Sequence, residues 1–195
     1  MSFAARFLSV STAAFLAAGI LVSGGAADAQ DKKVRIQLAS TYPGSMAQLG
    51  TLGISLAKKI TRASGGSLDM KFNEPGALVP ALQVYDSISQ GAVDAGWSTP
   101  GYWTGKNLAF GWFGSVPFGP NAGEYLAWIY YGGGRQLLEE LYGRAKIKTL
   151  YCGLIAPEAS GWFKKEINSV EDLKGLKMRF FGLGGRVMEK LGVSV

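Results

Sequence analysis

The sequence predicts an α/β fold with a largely parallel sheet and flanking helices, on three observations. Period-two alternation of apolar residues recurs at residues 34–39, 68–73 and 93–97; stretches with apolar residues every three or four positions lie between these runs; glycine or proline closes most segments. Strands alternating with helices give a βαβαβ order, which packs as parallel strands with helices on the sheet faces.

Residues 1–29 read as a secretory leader. Arg6 supplies the positive end, residues 7–22 are apolar and Ala-rich, and Ala27-Asp28-Ala29 is a cleavage site of small residues. Cleavage after Ala29 is expected to release a soluble, exported product. Cys152, the single cysteine, lies far from the leader and offers no lipid attachment there.

In the first strand Val34, Ile36 and Leu38 face a core, and Ser40-Thr41-Tyr42-Pro43-Gly44 breaks it. Ligands of open α/β sheets gather past the C-terminal strand ends, so the loop at Thr41 reads as a cleft wall or as an ordinary strand-to-helix turn. Residues 45–63 carry Met46, Leu49, Leu52, Leu56 and Ile60 at helical spacing, predicting a core-facing helix that Gly50 and Gly53 weaken slightly; Lys58, Lys59 and Arg62 crowd its end. A strand over 68–73 and a loop with two prolines follow. A helix over 81–90 then presents Leu82, Tyr85 and Ile88, and a third strand spans 93–97.

Residues 97–118 hold seven aromatics, among them Tyr102 and Trp103, with neither period. Core packing, a cleft lining and a docking surface all fit them. Asn121 with Glu124 forms a capping box for a helix through Tyr131. Gly132-Gly133-Gly134 kinks or ends that helix before another over 135–142, and residues 147–153 read as a fourth strand with Cys152 as a small core residue.

Ser169 and Asp172 suggest a capped start to a short helix that Gly175 stops. A strand over 176–181 then places Leu176, Met178 and Phe180 on one face and Lys177, Arg179 and Phe181 on the other. The glycines of residues 182–185 feed a helix from near Arg186. They are no dinucleotide fingerprint, because Val187 stands where a third glycine is needed. A guanidinium near a helix N-terminus suits a carboxylate, though a strand arginine also serves as a solvated or structural ion-pair residue.

Composition narrows the function classes. Loss of the leader removes Arg6 and Asp28 together, so the net charge stays +6, which fits anionic ligands or an anionic surface. The cations form no run of the length a nucleic-acid arm shows, and nucleic acid is set aside. With no histidine in the chain, His-based triads and His metal sites are excluded, and no acidic pair offers an alternative acid/base mechanism, so no enzyme is expected.

Several stretches, in this order, resemble the extracytoplasmic solute receptors of TRAP transporters, of the DctP type that binds 2-oxo acids and related carboxylates. They are Leu38-Ala39-Ser40-Thr41-Tyr42-Pro43, Pro75-Gly76-Ala77-Leu78-Val79-Pro80, Tyr102-Trp103-Thr104-Gly105-Lys106, Val116-Pro117-Phe118-Gly119, Trp128-Ile129-Tyr130-Tyr131 with its glycine triplet, Gly161-Trp162-Phe163, and Arg179 in its strand. The resemblance implies a periplasmic-binding-protein-like architecture of two lobes around a cleft, with residues 30–150 as the first lobe and 151–195 as the start of the second. It also implies capture of a small carboxylate, a 2-oxo acid or C4-dicarboxylate, in the periplasm for delivery to TRAP membrane subunits. Arg179 would clamp the carboxylate, with Tyr102, Trp103, Thr41 and Glu158 in support. Glu158 stands where such receptors often carry a glutamine that contacts a cation bound with the substrate. Its carboxylate would hold Na⁺ or Ca²⁺ more strongly, or repel an anionic substrate if no cation is present. The other cation ligands of the family lie beyond Val195 in sequence, so the alternative expectation is a truncated half-receptor that binds nothing by itself. Homodimer formation stays open.

Overall fold

A computed structural model describes residues 32–114 and 116–195; the leader falls outside them. Strands β1 (Val34–Ser40), β2 (Leu68–Asn73) and β3 (Ala95–Trp97) form one parallel sheet in the order β2-β1-β3. The register sets Leu38 between Phe72 and Ala95, and β1 sinks into the interior toward its C-terminal end, where Leu38, Ala39 and Ser40 are buried. The α/β architecture read from the periodicity is thus present.

Helix α1 (Leu49–Ala63) packs on the sheet with Leu49, Leu56 and Ile60 of the predicted stripe half-buried, but its closest contacts are not made by the large residues. Met46 and Leu52 are exposed, and the buried positions are Gly50, Gly53 and Ala57. A Cβ on Gly53 would stand 2.8 Å from the Phe72 ring and 2.9 Å from the Trp97 indole, and one on Gly50 would meet the Pro43 carbonyl. Close approach of helix to sheet, not bulk, therefore selects the buried stripe, and these glycines are contacts instead of weak points. The second predicted helix keeps Tyr85 and Ile88 on the core, as expected, but not Leu82. Residues Ala81–Gln83 form a 3₁₀ turn that runs into α2 (Val84–Ser89), where Val84 and Ser87 are buried while Leu82 is exposed.

The aromatic-rich segment resolves into two 3₁₀ turns, Pro100–Trp103 and Leu108–Phe113. Trp103, Phe110 and Phe113 join Val84, Tyr125, Ile129, Leu138 and Leu141 in the core, whereas Trp112 and Phe118 are exposed. Tyr85 is the hub, 5.5 Å from the Trp103 ring, 5.6 Å from Phe110 and 5.8 Å from Tyr142. The Asn121/Glu124 capping box opens α3 (Ala122–Tyr131) as expected, each side chain taking the other's backbone N–H. At the glycine triplet the chain reverses: Gly133 has φ 87°, a left-handed value that glycine adopts without strain, and α4 (Gly134–Gly143) begins with Gly134 lying 2.9 Å, at its would-be Cβ, from the Trp128 indole.

The C-terminal quarter departs most from expectation. Residues 147–153 join no ladder, so there is no fourth strand, and Cys152 is exposed instead of being a core residue. The short helix before Gly175 is a 3₁₀ turn, Glu171–Leu173, in which Asp172 accepts the N–H groups of Asn168 and Ser169 and the Ser169 hydroxyl; those three donors hold its carboxyl below the usual range. Residues 176–180 alternate in exposure as predicted, Phe181 being half-buried against Gly101, yet only one parallel bridge, Lys177 to Ser194, forms, so they are not a strand. Helix α5 begins earlier than Arg186, spanning Gly182–Lys190. Two glycines receive this segment: the Phe181 ring occupies the space a Cβ on Gly101 would need, and Leu183 does the same at Gly111.

Two outcomes are expected. Gly101→Ala forces the Phe181 ring to move and is expected to cost about 1–3 kcal/mol, whereas Leu52→Ala, a truncation on an exposed face, is expected to stay within about 0.5 kcal/mol; thermal melting measures both. Burial raises Tyr42, Tyr85, Tyr125, Tyr142 and Tyr151 above the ordinary tyrosine value of 10.0, Tyr151 to about 12. A phenol that holds its proton more tightly folded than unfolded contributes stability that is complete below the unfolded value and lost as pH climbs past it. Melting temperature is therefore expected to fall above pH 10.0, with phenolate absorbance rising in the same cooperative step.

Candidate carboxylate site

The C-terminal ends of β1 and β3 set out the first side of the site. Thr41, just past β1, donates its N–H to the Trp97 carbonyl at 3.0 Å, and its hydroxyl lies 3.1 Å from that of Ser98. Ser40 closes the loop locally by accepting the Tyr42 N–H at 3.0 Å and donating to the Tyr42 carbonyl at 2.7 Å. These bonds pin Tyr42, which is buried and whose ring lies 6.1 Å from that of Tyr102. Burial first, then Tyr102 beside it, pushes the Tyr42 phenol far above its ordinary value. It is a neutral hydroxyl at any physiological pH and can offer a hydrogen bond without adding charge.

The second side comes from residues 179–181. Phe181 stands edge-on to Tyr102 at 5.2 Å, seated over Gly101, and the Arg179 guanidinium lies 5.7 Å from the Phe181 ring centre. An unbroken series of contacts thus runs from Thr41 and Tyr42 through Tyr102 and Phe181 to Arg179. Arg179 is exposed and has no carboxylate within ion-pair distance among the described residues. A shallow opening of about 510 Å³ runs beside it, with Lys177 and Ser194 also on its wall. Thr41, Tyr42 and Tyr102 are not on that wall; a planar cation beside an aromatic ring, with Lys177 and the Ser194 hydroxyl on the same opening, is chemistry for an oxyanion such as a carboxylate.

The remaining predicted residues are placed differently. Trp103 is buried in the aromatic core between Tyr85 and Tyr102. Glu158 is exposed in the extended stretch before the Gly161-Trp162-Phe163 turn and makes no hydrogen bond or ion pair with Arg179. That turn is tied to the opposite face of the 176–181 segment, Gly161 lying 3.2 Å, at its would-be Cβ, from the end of Met178. Among the described residues no cluster of three His, Cys, Asp or Glu side chains could hold a metal. Tyr42 and Phe181 were not predicted. Tyr42 carried a signal, its position past a strand end, and Phe181 carried another, its alternation onto the face of Arg179.

No helix of the described residues is long and apolar enough to cross a membrane. The sequence profile of bacterial extracellular solute-binding protein family 7, DctP, matches residues 39–195. A monocarboxylate 2-oxoacid-binding periplasmic protein of Nostoc sp. PCC 7120 is 41% identical over 164 residues, covering 83% of this chain and 44% of its own length. A TRAP periplasmic solute-binding protein of Pseudoalteromonas atlantica, solved with bound sodium and pyruvate, is 40% identical, with a TM-score of 0.80 over 84% of this chain and 50% of that one. Another, from Bordetella bronchiseptica with calcium and picolinate, is 37% identical with a TM-score of 0.79, covering 83% and 48%. The chain thus spans about half the length of these relatives. Their common family is one of solute binding in transport, not of catalysis, and the chain belongs to it: it is a member of the DctP group, family 7 of the bacterial extracellular solute-binding proteins.

Proposed function

We propose that this protein captures a small monocarboxylate of the 2-oxo-acid type in the periplasm and delivers it, unaltered, to the membrane subunits of a TRAP transporter. The observation that carries this reading is Arg179: an exposed guanidinium with no carboxylate partner among the described residues, backed by Phe181 and joined through it to Tyr102 and Tyr42. The ligand's carboxylate supplies the missing partner, Tyr102 and Thr41 offer hydroxyls, and Trp103 supports Tyr102 from behind. Relatives that hold pyruvate with sodium, and picolinate with calcium, support both the ligand class and a cation bound beside it. In this chain Glu158 is the candidate oxygen ligand for that Na⁺ or Ca²⁺. The leader is removed after Ala29, residues 30–150 build the first lobe, and residues 151–195 begin the second, which closes on the ligand by a hinge motion.

Calorimetric titration with pyruvate, with and without Na⁺ or Ca²⁺, tests the proposal. Arg179→Ala is expected to weaken binding by about 2–5 kcal/mol, that is, thirtyfold or more. Arg179→Lys keeps the charge but loses the two-pronged donor and is expected to recover only part of the loss. Undiminished binding by Arg179→Ala overturns the carboxylate assignment. Failure of the wild-type chain to bind any 2-oxo acid favours the half-receptor instead.

A further inference from the structure

The opening beside Arg179 has a second cation on its wall. That wall is built by Lys177, Met178, Arg179, Phe180, Ser194 and Val195, so it presents two cationic side chains and one hydroxyl but no acidic side chain. From Lys174 to Val195 the sequence carries five basic residues against one acidic residue, Glu189, and the segment that forms the opening is itself cationic. Lys177, like Arg179, is exposed and has no carboxylate within ion-pair distance among the described residues.

The backbone sets where this second charge stands. The Ser194 N–H donates to the Leu176 carbonyl at 2.8 Å and the Met178 N–H donates to the Ser194 carbonyl at 3.0 Å, so Lys177 is held between two hydrogen bonds to one residue. The Gly175 N–H adds a third tie, to the Gly192 carbonyl at 2.8 Å. Packing then decides which way the segment faces. Met178 lies against Gly161, and the Phe180 ring fills the space at Gly184, while Lys177 and Arg179 alternate onto the open side. At the spacing of a β-bridge, alternate residues lie about 6.6 Å apart, far enough to meet two separate acidic groups.

A monocarboxylate needs only one of these cations. Arg179 offers it a planar two-pronged donor, whereas Lys177 is a point charge on a flexible stem that can follow an acidic group at a variable distance from the first. Resting on the proposed capture of a 2-oxo acid at Arg179, we propose that Lys177 is a specificity-determining residue of the same opening. It favours, over pyruvate, a 2-oxo acid bearing a second carboxylate: Arg179 takes one carboxylate, Lys177 takes the other, and the Ser194 hydroxyl beside Lys177 can donate to it. A lysine that only solvates the surface treats both ligand classes alike, so the difference between the two ligands identifies the role.

Calorimetric titration of the full chain with pyruvate and with 2-oxoglutarate, at matched ionic strength, tests this. The wild type is expected to bind 2-oxoglutarate about fivefold or more tightly than pyruvate, by a margin that shrinks as salt rises. Lys177→Gln is expected to remove the margin while pyruvate affinity stays within about twofold, and Lys177→Arg to keep it. Lys59→Gln, which removes the same charge from α1, is expected to leave it unchanged. Retained pyruvate affinity also reports that each variant is folded. Equal binding of the two ligands by the wild type, a margin that survives Lys177→Gln, or one that Lys59→Gln removes as fully, overturns the role of Lys177 and leaves pyruvate capture standing. Binding of neither ligand overturns both. Binding of 2-oxoglutarate alone, lost in Lys177→Gln, upholds Lys177 and refutes the monocarboxylate reading.

Discussion

The seating of Phe181 over Gly101 is the contact on which the candidate site depends. Arg179 is exposed and carries no ion pair among the described residues; its guanidinium rests beside the Phe181 ring, and that ring is held because a glycine leaves room for it. Leu183 against Gly111 repeats the arrangement one turn later and anchors the start of α5. The two glycines sit in 3₁₀ turns that also carry the buried core residues Trp103, Phe110 and Phe113. The site's cation is thus positioned by the hydrophobic core at one remove. Packing of this kind transmits small displacements, because close-packed interiors have little slack.

Electrostatics contributes to this fold mainly through what it keeps neutral. The ion pairs Lys33–Asp69, Lys148–Glu139 and Arg144–Glu140 are exposed, and such pairs contribute little. The buried polar groups are neutral instead: Ser40, Asn73 and Ser87, with the phenols of Tyr42 and Tyr125. Tyr125 gives its hydroxyl to the Trp112 carbonyl at 3.0 Å, and Tyr42 lies among Thr41, Thr99 and Tyr102. Phenols whose protons are held by burial add hydrogen-bond donors near a site without adding charge that would compete with Arg179.

What the sequence made legible follows from which physical signals are local. The alternation of strand order and helix spacing was enough for the parallel α/β sheet, and the Asn121/Glu124 capping box was readable because both partners lie within one turn. Residues 176–180 show the predicted two faces even without a ladder, since alternation belongs to any extended backbone, whereas a strand needs a neighbour. Helix α1 was misread for the opposite reason: Met46, Leu49 and Leu52 outweigh Gly50, Gly53 and Ala57 in any apolar count, yet only the small residues let the helix reach the sheet. The aromatic run from Trp97 had no period to read. Its order comes from partners distant in sequence, Phe181 on Gly101 and Tyr142 on Phe110, and no local pattern contains those pairings.

An arginine unpaired among the described residues also constrains how the candidate site would work. Covering a guanidinium without a counter-charge costs several kcal/mol, so Arg179 stays in contact with water while it lacks a partner. A carboxylate removes that penalty by pairing with it, and only then can apolar surface close over both. Ligand capture and exclusion of water become one event, driven by the same pair. Discrimination follows: a neutral analogue of equal shape leaves the Arg179 cation uncompensated, whereas Lys177, on the wall of the same opening, offers a second cation to an anion of greater charge.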